Sequence, residues 1–255
     1  MRILLQVQHI KKIYGEINVE NAVVALDDIE FTIEKGEFVA VMGPSGSGKT
    51  TLLNIMSGID DPTAGEVILN EQSLHALTKE QQAVYRRQQI GFIFQDFNLL
   101  DSLSVKDNIL LPMILEKKAI DKMEAKLTEL SELFAIQDIL QKYPHEISGG
   151  QKQRVAICRA LVNEPAIVFA DEPTGNLDSK NAAILMENLA KIVRHIGTTV
   201  LLVTHDVFAA SYCDKVLFIK DGMLHSSIVK KGSQQQFFGT IVDNLEMVGG
   251  KAHDI

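Results

Sequence analysis

Cysteine is scarce in this 255-residue sequence: Cys158 and Cys213 are the only two, and they form no C-x-x-C pair or metal-ligand spacing. Both sit in apolar, helix-like surroundings, which reads as inert buried thiols in a reducing compartment. Long apolar runs are missing as well. The longest, FVAVM (38–42), AIVFA (166–170) and TVLLV (199–203), fall short of the roughly 18–20 residues that a spanning helix needs. The opening segment MRILLQVQHIKKIYG lacks the apolar core and small-residue cleavage site of a secretory signal. A cytoplasmic protein is expected, with docking on a membrane protein left open. Positive charge is in deficit: 33 acidic residues against 25 Lys and Arg give a net charge of −8. That balance disfavours a non-specific nucleic-acid binder, so no nucleic acid is expected among the partners. No internal repeat or low-complexity linker interrupts the chain, and its 46% hydrophobic content is ample for a substantial core.

What is present is an ordered succession of patterns. Residues 3–34 alternate (ILLQVQHI, NAVVALDDIEFTI) and suggest an antiparallel edge sheet. The three short apolar runs are apolar on both faces and bounded by turn or polar residues, as buried parallel strands are; the helical patterns between them imply an α/β core. From about 76 to 145 the pattern turns helical. Thr78 followed by Gln81 has capping-box spacing, and Met123, Leu127, Leu130 and Phe134 share one helical face that reads as core packing. These features predict a helical lobe inserted into an α/β core. The tail GSQQQFFGTIVDNLEMVGGKAHDI is weakly patterned and predicts no particular element.

Chemistry concentrates at the ends of the apolar runs. In EFVAVMGPSGSGKTTLLNIMSG, Gly43, Gly48, Lys49 and Thr50 complete G-x-x-x-x-G-K-[ST] between a strand and a helix. Bare glycine backbone can wrap a β-phosphate, Lys49 brings a charge to the β/γ-phosphates, and Thr50 offers a hydroxyl to Mg²⁺. On average composition a chance match is on the order of 1%. PAIVFADEP ends a buried strand in Asp171, suited to an outer or water-mediated Mg²⁺ contact, and Glu172, suited to polarising an attacking water. His205 closes TVLLVTH where a γ-phosphate would lie. Gln95 closes GFIF and could reach Mg²⁺ or the attacking water. A second anion site is written in HEISGGQKQRVAICRAL: Ser148 reads as a helix cap, and Gly149 and Gly150 leave the helix entrance bare. A capped helix start alone would also explain that pattern.

The order of these motifs resembles the ATP-binding subunit of an ATP-binding-cassette (ABC) transporter along nearly the whole chain. The resemblance implies an α/β, P-loop NTPase fold with a RecA-like parallel-sheet core, an N-terminal antiparallel β-subdomain and an inserted helical subdomain. A single domain over 1–255 is expected, with core and β-subdomain at about 1–95 and 163–230, helical subdomain at about 96–162 and tail at about 231–255. It further implies an ATPase with ATP and Mg²⁺ as ligands. Gly43, Pro44, Ser45, Gly46, Ser47, Gly48, Lys49, Thr50 and Thr51 match the phosphate loop, and Gln95 the Q-loop. Ser148, Gly149, Gly150 and Gln151 match the family signature, here preceded by Ile147 in place of the usual leucine. Asp171 matches the Mg²⁺-binding aspartate, with Thr50 and Gln95 as its companions, and Glu172 the catalytic glutamate. Asn176-Leu177-Asp178 match the D-loop, His205 the switch histidine, and Tyr14 the ring that stacks on adenine.

In this family two cassettes pair head to tail, each signature capping the nucleotide of the other. The resemblance therefore implies a second copy of this chain as partner, an integral-membrane permease, and a place on the inner face of the cell membrane. Within the family, the branch of macrolide-export, lipoprotein-release and cell-division ATPases is similar. Closer still in IGFIFQDFNLLDSLSVKDNILLP, YPHEISGGQKQR and THDVFAASYCDKVLFIKDG are the ATPases of bacitracin-type resistance modules. Those systems add a sensor histidine kinase as an indirect partner. The same resemblance implies a permease contact near Phe97, Leu99 and Leu100, with packing of these residues into the helical lobe as the alternative. Soluble cassettes of DNA repair or translation typically carry a long coiled-coil insertion or two fused cassettes, and this chain has neither.

Overall fold

The computed structural model describes residues 2–15 and 22–248. Two long strands, β1 (Ile3–Tyr14) and β2 (Val23–Glu34), pair antiparallel. Next, β3 (Phe38–Met42) runs into the glycine-rich loop from which α1 (Lys49–Met56) starts. A hairpin of β4 (Ala64–Leu69) and β5 (Gln72–Ser73) precedes α2 (Lys79–Gln89) and β6 (Ile90–Ile93). Three helices follow: α3 (Val105–Leu115), α4 (Ile120–Leu133) and α5 (Gly149–Leu161). Then come β7 (Ile167–Asp171), α6 (Ser179–Lys191), β8 (Thr199–Val203) and a short α7 (Val207–Ala210). The hairpin of β9 (Lys215–Lys220) and β10 (Met223–Val229) leads to α8 (Gln234–Val248).

The strands form two sheets. β2-β1-β4-β5 is antiparallel, and the second sheet has the order β10-β9-β3-β8-β7-β6, parallel except for the β9–β10 pair. Successive side chains of a strand point to opposite faces, and here both faces are covered. In β3, Phe38, Ala40 and Met42 enter one apolar cluster while Val39 and Val41 enter the other. In β7, Val168 and Ala170 likewise oppose Ile167 and Phe169. One cluster lies with the helices α3 to α6 and α8; the other is shared with α1 and the antiparallel sheet. This two-sided burial is why the three short runs are apolar without alternation.

The capping box at Thr78 forms as its spacing predicts. Leu127, Leu130 and Phe134 are buried, with Met123 packed beside them, and α3 packs on both α4 and α5. Both cysteines are buried and free, and burial pushes their thiols well above the ordinary range. The tail differs from its weak pattern. It forms α8, which packs on α7 and β9 and buries Phe237, Ile241 and Val248. Three consecutive glutamines hide that periodicity, and tertiary packing supplies what local preference does not. Among the described residues no helix is long and apolar enough to cross a membrane.

Candidate functional site

Four parallel strands deliver the polar residues to one edge. The register pairs Val41 of β3 and Asp171 of β7 with Val203 of β8, so these strands end level; Ile93 of β6 pairs with Ala170. Gly43, Glu172, Thr204-His205 and Gln95 therefore leave the sheet at its carboxyl end, where open α/β sheets bind ligands.

The loop between β3 and α1 is shaped by two glycines. At Gly43 a Cβ would stand 2.0 Å from the Ile219 carbonyl oxygen. At Gly48, φ is 99° and a Cβ would meet the Ala25 carbonyl oxygen at 2.5 Å. α1 begins at Gly48 with no side-chain cap, so the first amides of the helix remain open to an anion. Pro44, Ser45, Gly46 and Thr50 are exposed along the loop, Thr51 is partly so, and Ser47 is buried with its hydroxyl unpartnered. The Lys49 ammonium donates to the carbonyls of Gly43 at 2.8 Å and Pro44 at 2.9 Å, inside the loop it would serve. Burial pulls Lys49 below its ordinary value, opposed by Glu172 and Asp171.

Asp171 has a buried Oδ1 without a hydrogen-bond partner. Burial and the neighbouring Glu172 push its carboxyl above the ordinary value, and Lys49 opposes them. Such an orphaned oxygen at the strand end suits a hard cation, and α1, which carries Thr50, packs on β7. Among the described residues no cluster of three His, Cys, Asp or Glu could hold a metal alone. Glu172 turns off the strand at φ 44°, a costly conformation for a non-glycine residue. Its Oε1 lies 3.0 Å from His205 Nδ1, and its Oε2 accepts from the Thr204 hydroxyl at 3.3 Å. The adjacent carboxylates thus differ in their surroundings: one has an unpartnered buried oxygen and the other faces a histidine.

The second glycine pair sits differently. Ser148 caps α5 in a reciprocal box: its hydroxyl accepts from the Gln151 amide and the Gln151 side chain accepts from the Ser148 amide. Nothing lies within 4 Å of a Cβ at Gly149, whereas one at Gly150 would meet Asn181 Oδ1 at 3.1 Å. Asp178 caps α6 by accepting from that same Asn181. Residues 148–151 and 178 therefore form one neighbourhood. Among the described residues no hydrogen bond joins it to residues 43–51.

The ABC transporter family model matches residues 26–175. The chain belongs to the ABC transporter family. It is 49% identical over 253 residues to the ABC transporter ATP-binding protein YxdL of Bacillus subtilis, covering 99% of this chain and 97% of that one. It is 44% identical over 253 residues to the bacitracin export ATP-binding protein BceA of Halalkalibacterium halodurans, covering 98% and 99%. Among solved structures, the cassette MJ0796 in a dimeric post-hydrolysis state with ADP and Pi aligns with TM-score 0.80 and 36% identity, over 90% of this chain and 100% of that one. The chain is thus the ATPase subunit of an ABC transporter, with the fold that its motifs predict.

Within the cassette, Gln95 is exposed and its amide would stand 2.9 Å from a Cβ at Gly175. Sequence reasoning missed what holds the loop behind it. Arg159 of α5 donates to the carbonyls of Asn98 at 2.5 Å and Phe97 at 2.7 Å, and Asn176 donates to Asp96 Oδ1 at 2.8 Å. Phe97 and Asn98 both adopt positive φ. A groove of about 360 Å³ opens beside this turn, lined by Phe92, Phe94, Pro112, Leu115 and Arg159 among others. Neither Phe97 nor Leu100 lines it, and Leu99 packs on the core. Contacts to backbone carbonyls leave no trace in a sequence; the apolar Phe92 and Phe94 were the available signal. Tyr14 ends β1, pairs with Val23 of β2, and is 42% exposed.

Proposed function

We propose that the chain works as a head-to-tail pair on the inner face of the membrane, energising a permease that protects cells against bacitracin-like peptide antibiotics. The convergence of the phosphate loop, Asp171-Glu172 and His205 on one sheet edge supports the enzymatic part. Whole-length similarity to BceA, a bacitracin export ATP-binding protein, supports the antibiotic part. In this reading residues 96–162 form the helical lobe between core segments 1–95 and 163–230.

The roles follow from chemistry. The α1 amides and Lys49 bind the phosphates, and Tyr14 stacks on the base. Glu172 takes the proton of the attacking water as water adds to the γ-phosphorus and the bond to the bridging oxygen breaks, giving ADP and phosphate. His205, bonded to Glu172, orients that carboxylate. Thr50, Asp171 and Gln95 would hold Mg²⁺, which when bound neutralises phosphate charge. Ser148, Gly149, Gly150 and Asp178 meet the nucleotide of the second copy; Ser148, Gly149 and Asp178 are exposed to its approach, and Gly150 is partly so. The groove beside Phe94 receives a cytoplasmic helix of the permease, and a sensor kinase is reached only through that permease.

The test is to delete the gene in its host and measure growth on bacitracin. Sensitisation reversed by the wild-type chain and not by Glu172→Gln is expected. Unchanged resistance to bacitracin and to other peptides that bind lipid-linked cell-wall precursors would overturn the antibiotic part and leave the ATPase part standing.

A further inference from the structure

We propose that Lys12 and Asp60 are positioning residues that hold the Tyr14 ring as a ready-made platform for the nucleotide base. This rests on the reading of Tyr14 as the base-stacking residue. Lys12 and Tyr14 are two apart on β1, so alternation puts both side chains on one face. The Lys12 ammonium lies 4.7 Å from the centre of the Tyr14 ring and donates to Asp60 Oδ1 at 2.8 Å. The Tyr14 hydroxyl donates to the other oxygen of the same carboxylate, Oδ2, also at 2.8 Å. One carboxylate therefore fixes both the tip of the ring and the cation on its face. Lys12 donates in addition to the Asp61 carbonyl, and the Asp61 amide donates to Asp60 Oδ1.

This trio is more than a loose surface pair, since the Lys12 side chain is 12% exposed. Nor is it needed to staple β1 to the turn after α1. Thr63 already does that, its amide donating to the Lys11 carbonyl and its hydroxyl accepting from the Ile13 amide. What the trio adds is a fixed orientation for an aromatic side chain that is otherwise 42% exposed. Asp60 is anchored in turn on α1, through its amide to the Asn54 carbonyl at 3.1 Å. The helix that opens on the phosphate loop thus also carries the brace of the base platform. A tyrosine free to rotate would lose that freedom on stacking, at a several-fold cost in affinity.

The experiment compares magnesium-supported binding of ADP with that of pyrophosphate, which has phosphates and no base, using the full-length chain. Asp60→Asn and Lys12→Met should each weaken ADP about fivefold and leave pyrophosphate unchanged. Tyr14→Phe, which keeps the ring and loses the hydroxyl, should weaken ADP similarly, and Tyr14→Ala should weaken it most. If Tyr14→Ala weakens ADP while the other three bind it as wild type does, the brace is overturned and the platform stands. Equal weakening of ADP and pyrophosphate in the brace variants would also overturn it, because the damage would then reach the phosphate loop. Normal ADP affinity in Tyr14→Ala would remove the platform and the brace together. Should Asp60→Asn not fold, Lys12→Met and Tyr14→Phe decide the matter.

Discussion

The start of α1 and the start of α5 both offer bare glycine backbone at a helix N-terminus, yet their surroundings are opposite. Gly48 is pressed against β2, and Lys49 is drawn into the loop that precedes it. Gly149 has open space around it, and Ser148 spends its side chain on its own helix. The first is an enclosure that surrounds a ligand arriving from solvent. The second is a presented edge, complete as a helix start and without walls of its own. Such an edge gives an anion few contacts by itself and would gain them where a second surface supplies the walls. In the proposed pair, the enclosure of one copy would meet the edge of the other.

Glu172→Gln would sharpen this contrast most. Turnover, followed as phosphate release, should fall by about 10²–10⁴-fold, while ATP binding survives because the phosphate loop is untouched. ATP should then trap the enclosure of one copy against the edge of another, read as a dimer by size-exclusion chromatography with ATP. Turnover at the wild-type rate would take the base role away from Glu172.

A matched pair of substitutions asks the two ends the same question. Gly48→Ala puts a Cβ against the Ala25 carbonyl at positive φ, which should cost roughly 1–3 kcal/mol of stability and weaken ATP binding by the isolated chain. Gly149→Ala meets nothing within 4 Å, so melting temperature and nucleotide affinity of the isolated chain should hold. Its ATP-dependent dimerisation and turnover should nonetheless fall. Equal effects of the two variants on binding by the isolated chain would break the contrast between enclosure and edge. Ser148→Ala is expected to be milder, losing the cap at about 1 kcal/mol in chemical denaturation. A stability unchanged from wild type would show that the box contributes nothing.

The smallest effect concerns a tie between α2 and α3. Gln88 and Arg87, at the end of α2, hydrogen-bond the Glu116 carboxylate at the end of α3 and hold it below the ordinary glutamate range. A depressed carboxyl contributes stability that is present above its unfolded value and lost as pH falls through its folded one. Wild type should therefore lose up to about 1 kcal/mol relative to Glu116→Gln as pH drops below about 4. A constant difference between the two from pH 7 to 3 would exclude this tie.

Legibility in the sequence followed the range of the interactions. The phosphate loop, the strand ending in Asp171-Glu172 and the caps at Thr78 and Ser148 were readable because each is a local bargain between side chain and backbone within a few residues. Helix α8 was not, although Phe237, Ile241 and Val248 recur at helical spacing, because the glutamine run at its start masks that face until α7 and β9 cover it. The brace on Tyr14 spans 46 residues, and the hold of Arg159 on the Gln95 loop spans 61 and 62. A carboxylate such as Asp60, in a run of turn residues, looks like any other until the fold brings its partners to it.

That hold by Arg159 has a consequence for variation. It grips the peptide carbonyls of residues 97 and 98, atoms that every amino acid carries. The grip itself does not depend on the side chains at those positions, although their positive φ favours residues such as glycine and asparagine that tolerate it. Arg159 also lines the groove beside the joint, so the proposed permease surface and the linkage share one side chain. Replacing the arginine has no such latitude, because a lysine offers one ammonium where two carbonyls are held by a planar fork. The joint therefore depends on backbone atoms on one side and on one particular side chain on the other.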